Sequence, residues 1–266
     1  MNTQTQKVQL HNSGLTSNTL KFIVIGAMLI DHIAWAFVPL FTPLGQIMHI
    51  IGRTTAPVMC CFIAEGYYHT RNVKRYALRL FVFAIVSYIP FIMFETGGMP
   101  NAKNFLTLNV IYTLLLGLLA LWAWDKMQNG VLKILTILAL CVLAMTGDWS
   151  YMAVIWVLIF GIYHGNRRKQ IKYFVIFSII MVAMISLPTV MLNVLMQNPE
   201  FVVQFEGQYI PPIYAQFFQF GVLLAAPLLM LYNGERGGGK YSKWFFYIFY
   251  PAHLLIIALI KMYLIK

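Results

Sequence analysis

Apolar runs of about 20 residues recur along this chain, divided by short polar or basic stretches. A helix rising about 1.5 Å per residue needs that many residues to cross the roughly 30 Å of hydrocarbon in a bilayer. Barrel strands need only about ten residues of alternating polarity, a pattern the runs do not follow. The expected fold is therefore all-α: a polytopic transmembrane helical bundle. About nine spans are expected, near 20–41, 44–70, 73–95, 105–124, 131–147, 149–165, 171–195, 212–233 and 243–264. Composition agrees, with 60% hydrophobic and only 10% charged residues in 266, against about 25% charged in soluble domains. The polar segment 1–19 is expected to be a disordered cytoplasmic extension, and 20–266 a single integral domain. No cleavable signal peptide is expected, because the first apolar run is too long for one and lacks a small-residue cleavage site.

The net charge of +11 raises a nucleic-acid partner, which its distribution excludes. Basic residues occupy short loops between apolar runs, as orientation signals do. Lys7 and Lys21 flank the start of the first span. Arg71, Lys74, Arg75 and Arg79 surround the second connection, Lys126 and Lys133 the fourth, Arg167, Arg168, Lys169 and Lys172 the sixth, and Arg236, Lys240 and Lys243 the eighth. The alternate connections carry Lys103 and otherwise Glu95, Asp148, Glu200 and Glu206. The positive-inside rule then places the N-terminus in the cytoplasm and the C-terminus outside, with Lys261 and Lys266 dissenting. The loop 196–211 reads as an ordinary exposed loop or as an acidic mouth for a cationic acceptor. Cys60, Cys61 and Cys141 all fall inside spans, which leaves no disulfide framework and favours small apolar packing.

Ionisable side chains at membrane depth are costly and mark cavities or functional sites. Asp31 and His32 stand together in the first span, His32 about 16 Å along the helix from Lys21. Arg53 and His253 reach a similar depth in the second and last spans. Adjacent helical residues point about 100° apart, so Asp31 is expected to neutralise Arg53 rather than orient His32. Pro57 removes the helical partner of the Arg53 carbonyl and Pro251 that of Tyr247, which opens backbone beside the charged groups. Arg71, Arg75 and Arg79 recur every fourth residue; on one helix they form a stripe suited to phosphate. Topology alone also accounts for positive charge there. A purely structural Asp31–Arg53 pair and a packing role for His253 remain the competing readings. No metal site is expected, because the six His and eight acidic residues show no tight ligand spacing. His69 and His164 fall at span ends, where interface roles are the default.

The blocks LKFIVIGAMLIDHIAW, IGRTTAPVMCCFIAEGYYHTRNVKRYALRLF, NVIYTLLLGLLALWAWDK, GDWSYMAVIWVLIFGIYH and FFYIFYPAHLLII together resemble the TraX family, known as pilin N-terminal acetyltransferases. More distantly the pattern is similar to type-3 membrane acyltransferases, in which a His ends an early span and an Arg precedes a proline and an aromatic-rich run. The likeness covers most of 20–164 and the last span; 166–242 matches little. It implies a multi-pass protein of the bacterial cytoplasmic membrane that uses acetyl-CoA as acyl donor. His32, Asp31 and Arg53 are the implied catalytic group. Glu65, Tyr68, His69, Arg71, Lys74, Arg75 and Arg79 are expected around the CoA moiety, and His253, Tyr250, Asp148 and Asn109 around the acceptor. The acceptor implied is the N-terminal amine of an exported or pilin-like peptide, with a sugar hydroxyl as alternative. Two other classes stay open at this point: a transporter using the midplane charges, and a non-catalytic scaffold for pilus assembly or secretion.

Overall fold

A computed structural model describes residues 14–197, 209–239 and 242–264. Glu200 and Glu206 of the acidic loop lie outside the described residues, as do Lys7, Lys240 and Lys266. Helix accounts for 76% of the structure, and no strand occurs among the described residues.

Local chemistry sets where each helix starts and stops. Helix α1 (Ser17–Phe37) begins where the Thr16 side chain accepts from the Thr19 N–H, and ends where Val38 turns extended before Pro39. It thus starts inside the stretch 1–19 expected to be disordered. Helix α2 (Pro43–Gly52) opens on Thr42 as cap and Pro43 at its first position. Two residues later α3 (Thr55–His69) takes over. The break at Arg53 and Thr54 is the opening that Pro57 imposes, since it offers no N–H to the Arg53 carbonyl. Helix α4 (Val73–Val86) and α5 (Tyr88–Thr96) form a pair bent by 44°. Pro90, four residues after Val86, removes the bond that would carry the helix straight on. Asn109, Asn129 and Asn166 cap α6 (Val110–Lys126), α7 (Gly130–Ala144) and α9 (Arg167–Leu195). Helix α8 (Ser150–Ile162) follows directly on Trp149, a non-glycine residue at φ +62°. A 3-10 helix (Phe217–Leu224) leads into the short α10 (Ala225–Met230), and α11 (Ser242–Leu264) ends the fold.

These caps correct the span count. Four helical stretches are long and apolar enough to cross a membrane, or five if the bent α4–α5 pair is one span, among the described residues. Nine membrane-length spans are not found among the described residues. Helices α6, α7 and α8 hold 17, 15 and 13 residues, about 26, 22 and 20 Å of rise. The expected span 212–233 divides into the 3-10 helix and a six-residue α10. Hydropathy counts apolar residues, whereas asparagine caps and a left-handed Trp149 decide where helix begins.

The core centres on α3, whose Cys60, Cys61 and Val58 are fully buried, and on the facing α6 and α8 with Leu118, Leu121, Trp156 and Phe160. The window around α2–α3 is 67% buried, against 22% for α9, which exposes Ile176, Ile180, Met184 and Leu187. Outer apolar faces of this kind belong against lipid. One end of the bundle gathers the basic loops. There Tyr67 bonds Asp125, Glu65 meets His164 and Arg167, and the Arg167 guanidinium stacks on Tyr232.

Gly52 permits the closest approach in the site region: a Cβ there would collide with the Asp31 side chain. Gly52→Ala should cost on the order of 1–3 kcal/mol and lower the melting temperature in detergent by a few degrees. Gly26→Ala, with open space around it, should leave it unchanged.

Candidate functional site

A cavity of about 1030 Å³ runs through the bundle among α1, α3, α4, α5 and α11. Small-molecule sites are typically about 300–1,000 Å³, so its volume suits a large ligand. One group of wall residues comprises Asp31, His32, Arg53, Glu95 and Asp148. Another comprises Lys21, Glu65, His69, Arg79 and Arg236.

Helices α1 and α11 bring His32 and His253 together, with Nδ1 of His32 2.7 Å from Nε2 of His253. The rings are stacked at 5.0 Å. The remaining contact of His253 orders the protons. Its Nδ1 lies 2.7 Å from the Phe249 carbonyl, which can only accept, so that nitrogen donates. In a neutral ring its Nε2 then carries the lone pair and accepts from the Nδ1–H of His32. The chain of bonds leaves Nε2 of His32 as the unprotonated nitrogen, on a ring that lines the cavity. Tyr250, buried and on the same wall, sets its ring 5.8 Å from His253.

Asp31 does not pair with Arg53. Its Oδ1 accepts from Nδ1 of His49 at 2.7 Å, inside the packing of α1 on α2. His49 is fully buried, and sequence reasoning passed over it. The available signal was another ionisable residue inside the second apolar run, four positions before Arg53 and so on its helix face. Arg53 instead lies among aromatic rings, its guanidinium carbon 4.9 Å from Phe218, 5.0 Å from Trp149 and 5.8 Å from Trp35. Such ring faces attract a cation by their quadrupoles. The left-handed backbone at Trp149 is a strained conformation held next to this cation.

Asp148 sits in the turn between α7 and α8. Its N–H donates to the Leu108 carbonyl and its own carbonyl accepts from the Thr113 hydroxyl. Burial pushes its carboxyl up to about 6, with the Arg53 charge opposing and Glu95 and Asp31 adding to the rise. Asn109 is structural rather than a cavity residue. Its oxygen accepts from the N–H groups of Ile111 and Tyr112, and its amide donates to the Ala84 carbonyl.

At the basic end the expected phosphate stripe does not form. Helix α4 begins at Val73 with Asn72 as cap, so Arg71 precedes the helix and shares no face with Arg75 and Arg79. Arg71, Lys74 and Arg75 are exposed and off the cavity wall; Arg79 is on it, packed over Tyr76. Lys21 and Arg236 join Arg79 there from other elements. Tyr68 is also off the wall, donating to the Gly161 carbonyl and stacking on His164 at 4.0 Å. Glu65 and His69 do line the cavity. Folding also brings His164 to them, so that ligand atoms of all three lie within 4.8 Å of one another. Linear spacing hid this cluster, because the third member arrives from the far end of α8.

Apolar helices of membrane length enclosing a polar cavity with paired histidines define an all-helical membrane protein with an internal site. Comparison with known proteins makes this more specific: the chain belongs to the TraX family, whose sequence profile, described as TraX protein, matches residues 16–261. That match includes 166–242, which the shorter blocks had left out. The chain is 31% identical over 260 residues to a protein of Dichelobacter nodosus described as "Probable fimbrial assembly protein FimC, serogroup H1". The alignment covers 95% of this chain and 98% of that relative. No solved structure matches.

Asp148 generates a pH-dependent stability. Folded, it keeps its proton up to about pH 6, above the ordinary 3.8, so folding loses stability as pH rises between those values. Asp148→Asn should therefore raise the melting temperature by a few degrees at pH 8, with the gain shrinking toward pH 4. Thermal scans at both pH values in detergent check this.

Proposed function

We propose that this TraX protein is a membrane-embedded acetyltransferase of fimbrial or pilus assembly. In this reading it moves an acetyl group from acetyl-CoA to the N-terminal amine of an exported, pilin-like subunit. The observation that carries the reading is the relay from the Phe249 carbonyl through His253 to His32, which leaves Nε2 of His32 unprotonated on a cavity wall shared with Lys21, Arg79 and Arg236. A base and a cationic anion-binding group in one cavity are what acyl transfer from a phosphorylated thioester requires. Kinship with a protein described as acting in fimbrial assembly supports the choice of acceptor.

In the proposed reaction the acceptor amine adds to the thioester carbonyl carbon, forming a C–N bond. His32 Nε2 takes the proton that the nitrogen gives up. Collapse breaks the C–S bond, the electron pair leaves with the sulfur, and the thiolate recovers a proton. Arg53, not engaged by Asp31, takes the role of stabilising the oxyanion. The basic end faces the cytoplasm in this reading, as the positive-inside rule requires, and the nucleotide enters there beside Lys21, Arg79 and Arg236.

The test is transfer of radiolabelled acetyl from acetyl-CoA to a peptide bearing a pilin-like N-terminus, with purified protein in nanodiscs. His32→Ala should lower the rate by about 10²–10⁴-fold without loss of folding. His253→Ala should give a smaller loss and a displaced pH–rate profile, because it acts through His32. Undiminished transfer by His32→Ala, or acetyl-independent flux of the peptide, would remove the acetyltransferase reading.

A further inference from the structure

We propose that Glu65, His69 and His164 hold a zinc ion at the basic end of the bundle. None of the three residues belongs to the His32 relay, and metal uptake can be measured without acetyl transfer.

Glu65 and His69 stand four residues apart on α3, so both project from one helix face. His164 comes from the turn after α8 and places its Nε2 3.4 Å from Oε2 of Glu65. The donor set is two imidazoles and one carboxylate. Zinc favours that set with three protein ligands and an open fourth position.

The surroundings match what metal ligands usually have behind them. His69 Nδ1 donates to the Glu65 carbonyl at 2.8 Å; a backbone acceptor of this kind fixes the tautomer and frees Nε2 as ligand. The His164 ring is stacked on Tyr68, whose hydroxyl is tied to Gly161, so its plane is set before any ion arrives. Arg167 lies 3.6 Å from Oε1 of Glu65. It engages the oxygen that the histidines do not, and so orients the carboxylate while leaving Oε2 for the ion.

The remaining adjustment is small. Tetrahedral ligands about 2.0–2.1 Å from zinc lie about 3.3 Å apart; one nitrogen of each histidine and a Glu65 oxygen already lie within 4.8 Å, and a turn of the His69 ring presents Nε2. His69 is the member best able to close the gap, because its side chain is 67% exposed while that of Glu65 is 14%. Glu65 and His69 line the cavity, so the fourth position takes water or an anionic oxygen of whatever enters there.

The experiment uses the full chain, purified in detergent without a histidine tag. Bound metal is measured after dialysis against buffered Zn²⁺, and Co²⁺ substitution is followed by its visible absorption. One zinc per chain and the intense visible bands of tetrahedral Co²⁺ are expected. His69→Ala, and His69→Ala combined with His164→Ala, should weaken binding beyond the roughly 10–100-fold that outer partners cost. His69 is exposed, so the single variant should melt as the wild type does without metal. Wild-type protein that takes up no stoichiometric metal overturns the proposal. So does uptake unchanged in the double variant, which marks adventitious binding. A third overturning result is Glu65→Gln lowering the melting temperature of a protein that binds no metal, the signature of a cluster held by Arg167 alone.

Discussion

The bundle is apolar almost throughout, so polar side chains inside it must be answered by other groups of the protein or by the cavity they border. The interior holds Asp31, His49, Arg53, His32 and His253 on otherwise apolar elements, and the packing follows from how they are answered. Asp31 and His49 satisfy each other across the α1–α2 contact, at a point where Gly52 gives the helices room to close. Arg53 has no carboxylate within that pair and is enclosed by Trp35, Trp149 and Phe218 instead. A cation at this depth is costly without partners, and the rings beside it, with the Asp148 carboxyl whose upward shift it opposes, are the compensation. The broken backbone between α2 and α3 lies where these groups meet, as irregular backbone in such bundles does when it borders a cavity.

The division of labour between the two carboxylate–histidine neighbours on α1 follows from helical geometry. Asp31 and His32 are adjacent in sequence and point to different sides. Asp31, at the cavity edge, accepts from His49 of α2 and serves the architecture, while His32 lines the cavity and donates to His253 of α11. One polar dipeptide thereby supplies a structural lock and an imidazole on the cavity wall. The cavity then extends from that ring to Lys21, Arg79 and Arg236, each brought from a different element. The whole arrangement falls within the stretch that matches the TraX family, residues 16–261.

Much of this was legible from the chain. Helical class, four or five of the membrane-length runs, the common depth of His32 and His253 and the opening at Pro57 follow from apolar run length, helical rise and the missing N–H of proline. Partner choice was not legible. Asp31 chose His49 over Arg53 because registry between α1 and α2 depends on a glycine contact that periodicity does not encode. Asn109 looked like a buried ligand-binding amide and is a helix cap, since the same side chain suits both and only the position of the helix start decides. The Arg71–Arg75–Arg79 stripe failed for the same reason: Asn72 starts α4 after Arg71. The Glu65–His69–His164 cluster required the α8–α9 turn to fold back on α3, a long-range event with no local signature.

Leu15, Ser17 and Asn18 at the start of α1 are bonded to residues 231–237: Leu15 donates to Leu231 and accepts from Asn233, while the Ser17 and Asn18 N–H groups donate to Glu235 and Arg236. Those N–H groups belong to the opening turn of a helix and have no partner within it. Their acceptors are translated more than two hundred residues later. During synthesis the first helix therefore waits with its leading amides unanswered until nearly the whole chain has left the ribosome. Its final seating, and with it the alignment of the His32 ring against His253, is a late event in biogenesis, so a chain stalled before residue 231 lacks both the acceptors of its first helix and the partner of His32.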